Sequence, residues 1–137
     1  MPLELLKTLL AAVAVLLALF QVLVMAQVRG KLSIFPAKPR ELIRVHKQLG
    51  RATLALVTLI GLLCLYVVFG LGYPTTSPHV QAHALLGTAA GLVLVLKVFV
   101  ANRRRAYLRH AMAHGITAAT LLALAFGASG LLYLINM

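Results

Sequence analysis

The chain has 137 residues, of which 62% are hydrophobic, and it carries 13 lysines and arginines against two acidic residues, for a net charge of +11. Soluble domains are nearer about 45–50% apolar, so the composition excludes an ordinary soluble domain and indicates an integral membrane protein. The positive charge would suit a nucleic-acid-binding protein, but the cations lie in the connections between apolar runs, which argues against that class.

Four long apolar runs follow one another along the chain, and runs of about 20 such residues are typical of membrane-spanning helices. The runs are Leu5–Val28, Ala52–Tyr73, His83–Val100 and Ala111–Ile135. The first is too long for the apolar segment of a signal peptide, which has about 7–15 residues. We therefore expect one transmembrane domain over residues 1–137, with helices at about 3–28, 42–72, 79–101 and 108–135.

The connections between the runs predict an all-α, up-down-up-down four-helix bundle. Pro39 is expected to hold its neighbours out of a helix, so that the second helix begins near Glu41 or Leu42. The stretches "GYPTTSP" at 72–78 and "NRRRAYLR" at 102–109 are short turn segments. Short connections make consecutive helices antiparallel neighbours.

The distribution of cations predicts the orientation of this bundle. Basic residues fill the first and third connections, whereas residues 71–81 contain no lysine or arginine. Under the positive-inside rule, both basic loops face the cytoplasm and both termini face out (N-out/C-out), in a bacterial or archaeal cytoplasmic membrane. Anionic lipid headgroups are the ordinary partners of such loops.

Small and polar residues share one face on three of the predicted helices, as expected for helices that pack closely in a membrane. They are Ala11, Ala14, Ala18 and Gln21 on the first helix, His83, Gly87 and Gly91 on the third, and His114, Ala118, Ala125 and Ser129 on the last. Plain helix packing explains these stripes as well as a cofactor-holding interior does. Cys64 is the only cysteine in the sequence, so the chain contains neither an internal disulfide nor a cysteine-based zinc motif.

Two histidines are each followed by a glycine one helical turn later: His46 with Gly50, and His83 with Gly87. His114 is followed directly by Gly115. Imidazole can ligate haem iron, and a glycine on the same face leaves room for the flat macrocycle. Interfacial packing is the simpler explanation of each histidine alone, but the repetition favours haem.

The predicted depth of each histidine limits which of them can pair. His46 and His114 lie roughly 3 and 8 Å past the cytoplasmic cations, so they could face each other across the bundle, and His110 is the substitute ligand. His83 lies about 30 Å from the cytoplasmic side and cannot share their haem. Five residues supply cations or clearance near these ligands: Gly50, Lys47, Arg51, Lys97 and Arg109.

Taken together, these features resemble the cytochrome b561 type of small b-type cytochrome over residues 42–135. His46, His83 and His114 match the first three family histidines in order, helix placement and spacing, and "HKQLGR", "AHALLG" and "LKVFVANRRR" also resemble small bacterial membrane proteins suspected of binding haem. The resemblance implies one haem b on His46 and His114 and assigns His83 to an outer haem. An outer haem would need a five-coordinate iron, a non-histidine ligand, or a ligand from another subunit. The family's further helix, which supplies the partner of that outer ligand, is absent here, which favours a partner subunit or a homodimer.

Three functions are compatible with this pattern. The first is electron transfer by a subunit of a larger respiratory or photosynthetic complex, with a quinone or a cytochrome as redox partner. Such a chain is an electron-transfer subunit rather than a self-contained enzyme. The second is a haem-free anchor subunit, and the third is a small transporter, which would need an acidic residue at mid-membrane. Glu4 and Glu41 both lie near helix ends, which makes the transporter the weakest of the three.

Overall fold

The structure is a computed structural model that describes residues 2–72, 76, 78–103 and 111–127. Within these residues it is all-helical, as predicted. The four helices are α1 (Pro2–Val28), α2 (Pro39–Leu65), α3 (Pro78–Arg103) and α4 (Ala111–Ala125). The predicted beginning of the fourth helix at 108 and its end at 135 both lie outside the described residues.

Three of the helices are long and apolar enough to cross a membrane. The candidate spans are Leu5–Val28, Pro39–Gly70 and Val80–Phe99. In α4 the described apolar stretch, Ala113–Ala125, is shorter. Large side chains such as Leu16, Leu62 and Leu85 are exposed on the outer surface, which suits contact with lipid and does not suit contact with water.

The second helix begins three residues earlier than the expected Leu42. Pro39 is the first residue of α2, and the preceding Lys38 is extended. A proline is tolerated at this position because the first helical N–H groups have no partner within the helix. The Glu41 carboxylate accepts a hydrogen bond from the Lys38 backbone N–H at 3.4 Å, which caps the start. Pro39 therefore holds only the preceding Lys38 out of the helix, and the expectation was wrong for Arg40, which lies in the first turn of α2.

The second helix also ends differently from the continuous helix expected up to residue 72. Its regular α-helical hydrogen bonding stops at Leu65 and continues as a π-helical turn over Tyr66–Gly70. Gly72 follows with a φ of +66°, a left-handed backbone conformation that glycine adopts without strain. The chain therefore leaves the helix at this point.

Gln27 holds the connection between α1 and α2 against the end of α1. Its side-chain oxygen accepts hydrogen bonds from the backbone N–H groups of Ile34 (3.0 Å) and Phe35 (2.8 Å). Its amide nitrogen donates to the Phe35 carbonyl at 2.6 Å. The Phe35 ring also packs edge-on against Phe20, with 5.4 Å between centroids. This basic connection is consequently a defined structure.

Alanines make up most of the interior. The buried cluster consists of Ala18, Ala90, Leu94, Ala118, Ala119 and Leu122, from α1, α3 and α4. The helices pack most extensively as the pairs α1–α2 and α3–α4, and α1 also packs on α4, whereas α2 packs less extensively on α3. Small side chains allow this close approach of helix backbones. The predicted inward face of α1 is buried, with Ala14 1% exposed and Gln21 4% exposed.

Candidate functional site

A small cavity of about 20 Å³ lies inside the bundle, and all four helices contribute to its wall. Its polar side chains are Gln21 of α1, His46 and Thr53 of α2, and Lys97 of α3. The α4 side is formed by Gly115 and Ala118, and Ala18 adds a third small residue. Because about 10–15 Å³ of such space admits one water molecule, the cavity accommodates a water-sized group.

His46 contributes an unsatisfied nitrogen to this cavity. Its Nδ1 atom is buried and has no hydrogen-bond partner. The imidazole lies beside the Gln21 backbone and near the Lys97 ammonium. Buried polar atoms in proteins almost always have a partner, so an orphaned ring nitrogen in a polar cavity marks a position where a ligand is expected.

Lys97 lies partly buried in the same cavity. Its Nζ atom is 3.6 Å from the position that a Cβ atom would occupy on Gly115, so the side chain reaches towards α4. The chain has only two acidic residues. Glu41 caps the start of α2, and Glu4 lies 17 helical residues, or about 25 Å, before Gln21. No acidic side chain in the described part of the chain pairs with Lys97.

Gln21 and Thr53 join α1 to α2 beside His46. The Gln21 Nε2 donates a hydrogen bond to Thr53 Oγ1 at 2.6 Å, and Thr53 Oγ1 donates to the Leu49 carbonyl at 2.9 Å. Thr53 is completely buried. Sequence reasoning placed Gln21 on an inward face but missed Thr53. The signal was a hydroxyl within an apolar run, which needs a partner wherever it lies in a membrane.

His83 is held separately, at the beginning of α3. Its Nδ1 lies 2.8 Å from the carbonyl oxygen of Ala125 at the end of α4. A carbonyl only accepts hydrogen bonds, so the Nδ1 atom of His83 carries a proton and donates a hydrogen bond to Ala125. Fourteen residues of α3 separate His83 from Lys97, a rise of about 21 Å. His83 therefore belongs to a different level from the His46 cavity.

The other predicted site residues are distributed around the cavity. His114 is partly buried and directly precedes Gly115, but it does not line the cavity. Lys47 and Arg51 are exposed. His110 and Arg109 lie outside the described residues.

The two predicted clearance glycines differ in their surroundings. A Cβ added to Gly50 would lie 3.4 Å from the Gln21 side-chain oxygen, so Gly50 packs against α1. A Cβ added to Gly87 would meet nothing within 4 Å, so open space lies beside the His83 turn. A side-chain Cβ would therefore be accommodated without contact at Gly87, whereas at Gly50 it would touch Gln21.

Comparison with known proteins gives a family and no activity. No curated protein and no solved structure matches the chain, so the likeness to cytochrome b561 stays a prediction. Residues 3–137 match DUF6529, which is described as a family of unknown function. Because this match covers nearly the whole sequence, the chain belongs to the DUF6529 family.

Proposed function

We propose that this protein is a membrane-embedded b-type cytochrome that transfers electrons as a subunit of a larger redox complex. The observation that carries the proposal is the buried Nδ1 of His46, which has no hydrogen-bond partner and lies in a cavity walled by all four helices. A buried ring nitrogen without a partner is costly inside a membrane bundle unless it binds something. Such a histidine is a common axial ligand of haem iron.

The residues present supply a donor set that fits haem b. His46 on α2 would be one axial ligand, and His114 on α4 is the proposed second ligand because it adjoins cavity-lining Gly115, with His110 as its substitute. A bound haem would supply one-electron redox chemistry. The protein would hold the group in a low-dielectric interior, and Lys97 would lie close enough to compensate a negative charge.

The cavity is too small for a haem macrocycle as the helices are packed. A volume of about 20 Å³ holds a water-sized group, so a macrocycle requires the helices to separate. The less extensive packing of α2 on α3 makes that seam the easier one to open. The same small volume favours a second candidate function, a haem-free anchor subunit whose histidines serve packing, as the His83–Ala125 hydrogen bond already does.

The orientation of His83 supports an outer haem as part of the proposal. Metal-ligating histidines usually donate their other ring N–H to a carbonyl or carboxylate, which fixes the tautomer. The hydrogen bond from His83 Nδ1 to Ala125 fixes the tautomer in this way. The opposite ligand would come from a partner subunit or a second copy of the chain, and a quinone or a cytochrome would exchange electrons with the complex.

The proposal also includes the orientation in the membrane. Up-down-up-down topology, with both termini outside and both basic connections at the cytoplasmic face, follows from the positive-inside rule. The contacts between α3 and α4 support opposite directions for these helices, because His83 meets Ala125 and Lys97 approaches Gly115.

A haem assay on purified variants tests the main proposal. The wild type is expected to give a reduced-minus-oxidised b-type spectrum and a positive pyridine haemochrome assay. His46→Gly is expected to lose most of its haem and to regain the spectrum when imidazole is added, because free imidazole can replace the missing ligand. His83→Ala is the matched control and is expected to keep the inner haem.

Two results would contradict the proposal. A wild-type protein that folds and binds no haem would favour the anchor function. Full haem content in His46→Gly without imidazole would remove His46 as the ligand. Circular dichroism and gel filtration of each variant establish that lost haem is not simply lost fold.

A further inference from the structure

The Lys97 ammonium has an environment that the proposed iron ligation does not by itself explain. It is partly buried among α1, α2 and α4 in the central cavity, close to His46 and Gly115. Removing a cation from water is unfavourable unless an opposite charge compensates it. The chain has two acidic residues, and no ion pair joins Lys97 to an acidic side chain among the described residues. An anion from outside the chain would supply the missing charge.

The hydrogen-bonding groups of the cavity indicate the sign and size of the missing partner. An ammonium group only donates hydrogen bonds, and it faces the cavity beside the unpartnered Nδ1 of His46. Gln21 and Thr53 are already engaged in their chain of hydrogen bonds to Leu49. A group that accepts from Lys97 would satisfy the charge, and the volume of about 20 Å³ limits it to a small group.

We infer that Lys97 forms a binding site for one small anionic group in the middle of the bundle. The anionic group is either a free halide ion or a carboxylate at the edge of a bound haem. Both sources share one chemistry: a single negative charge that accepts hydrogen bonds from the ammonium within a cavity walled by small residues. The haem-carboxylate source rests on the proposed function, whereas the halide source does not.

The first arm of the test uses halides alone. Thermal unfolding of the haem-free protein in detergent is measured in sodium bromide and in sodium gluconate at equal ionic strength, because gluconate is too large for the cavity. Binding of bromide to the folded state would raise the midpoint by roughly 2–5 °C. Lys97→Met is expected to lose that difference, and Lys97→Arg to keep most of it. Lys31→Met, which removes an exposed lysine of the α1–α2 connection, is the control for general salt effects.

The second arm compares haem with haem dimethyl ester, which lacks the two carboxylates. If Lys97 pairs with a carboxylate, the wild type binds haem more tightly than the ester by roughly tenfold or more. Lys97→Met is expected to reduce that ratio to near one while still binding the ester. Lys31→Met again serves as the control and keeps the wild-type ratio.

The outcomes separate this inference from the proposed function. A bromide effect or an ester discrimination that depends on Lys97 supports the anion site and identifies its source. A protein that binds haem and its ester equally, and shows no bromide effect, overturns the anion site but leaves the cytochrome proposal standing. A protein that binds no haem removes the cytochrome proposal, and the bromide measurement still decides the anion site.

Discussion

Few of the polar side chains that the structure describes are buried in the bundle. Losing a hydrogen bond to one of them should lower stability, because lipid offers no replacement partner. Gln21 and Thr53 form the best-defined example, since both are buried and their hydrogen bond joins α1 to α2 next to His46. Hydrogen bonds between membrane helices contribute about 0.6 kcal/mol on average and up to about 1.7 kcal/mol. A bond of 2.6 Å in a fully packed position belongs at the upper end of that range.

Thr53→Val should therefore lower the free energy of unfolding by about 1–2 kcal/mol, because the isosteric valine removes the acceptor of the Gln21 amide. Reversible unfolding in a detergent mixture measures the change. Thr58→Val is the matched control, since Thr58 bonds the Leu54 carbonyl in the same way but is exposed. Its effect should stay within about 0.5 kcal/mol.

A double-mutant cycle with Gln21→Leu separates the hydrogen bond from other losses. The two substitutions should be non-additive by about 1 kcal/mol, because the second change removes a partner that is already alone. Additive effects would mean that the Gln21–Thr53 bond contributes nothing to stability.

At this scale the sequence predicts the polar residues but not how they pair. Spacing predicts His46 and His114 as a pair, of which His46 alone lines the cavity, and the helical face of Gln21 predicts its burial. The Gln21–Thr53 bond and the approach of Lys97 to Gly115 depend on how the helices rotate against one another. That rotation is set by the combined packing of many alanines, so it cannot be predicted from any single residue.

The connection between α1 and α2 is held by hydrogen bonds from a side chain close by in the sequence. The Gln27 side chain forms hydrogen bonds with the backbone of Ile34 and Phe35, which lie outside the helices. The loop nevertheless exposes Lys31 and Lys38. Because these hydrogen bonds hold the connection in place, we expect it to resist proteolysis even though it contains lysines that trypsin recognises.

Gln27→Leu is expected to accelerate trypsin cleavage after Lys31 by roughly tenfold, because it removes three hydrogen bonds that hold the loop closed. The midpoint of thermal unfolding should change little, since the loop lies outside the helical core. Gln48→Leu is the control, because Gln48 is an exposed glutamine on α2. Equal cleavage rates in the two variants would show that Gln27 does not restrain the loop.

Helix existence was predictable from apolar run length, whereas helix ends were less so. The sequence predicts a helix break at Pro39, but this residue begins α2. The proline ring that disrupts a helix interior is well suited to the first helical position. The π-helical turn at Tyr66–Gly70 has no sequence signature that distinguishes it from regular helix. Such ends depend on local hydrogen-bond partners that only the folded chain supplies.

At the scale of the whole molecule, the distribution of cations predicts the orientation across the membrane. Three helices are apolar and long enough to span, and the fourth apolar run is predicted to cross as well, which would make the number of crossings even. The connection after α1 is rich in lysine and arginine, whereas residues 71–81 contain neither. Since moving a basic loop across the bilayer is disfavoured, the two sides of the bundle should be fixed by this asymmetry.

Cysteine labelling in cells tests that orientation. In a Cys64→Ala background, Thr76→Cys and Ser33→Cys each introduce one thiol at an exposed position on opposite connections. A membrane-impermeant maleimide added to intact spheroplasts should label Thr76→Cys, because this connection is predicted to face outward. Ser33→Cys should react only after permeabilisation. The reverse pattern would invert the topology and place the His46 cavity near the outer face, while labelling of both sites from outside would indicate insertion in both orientations.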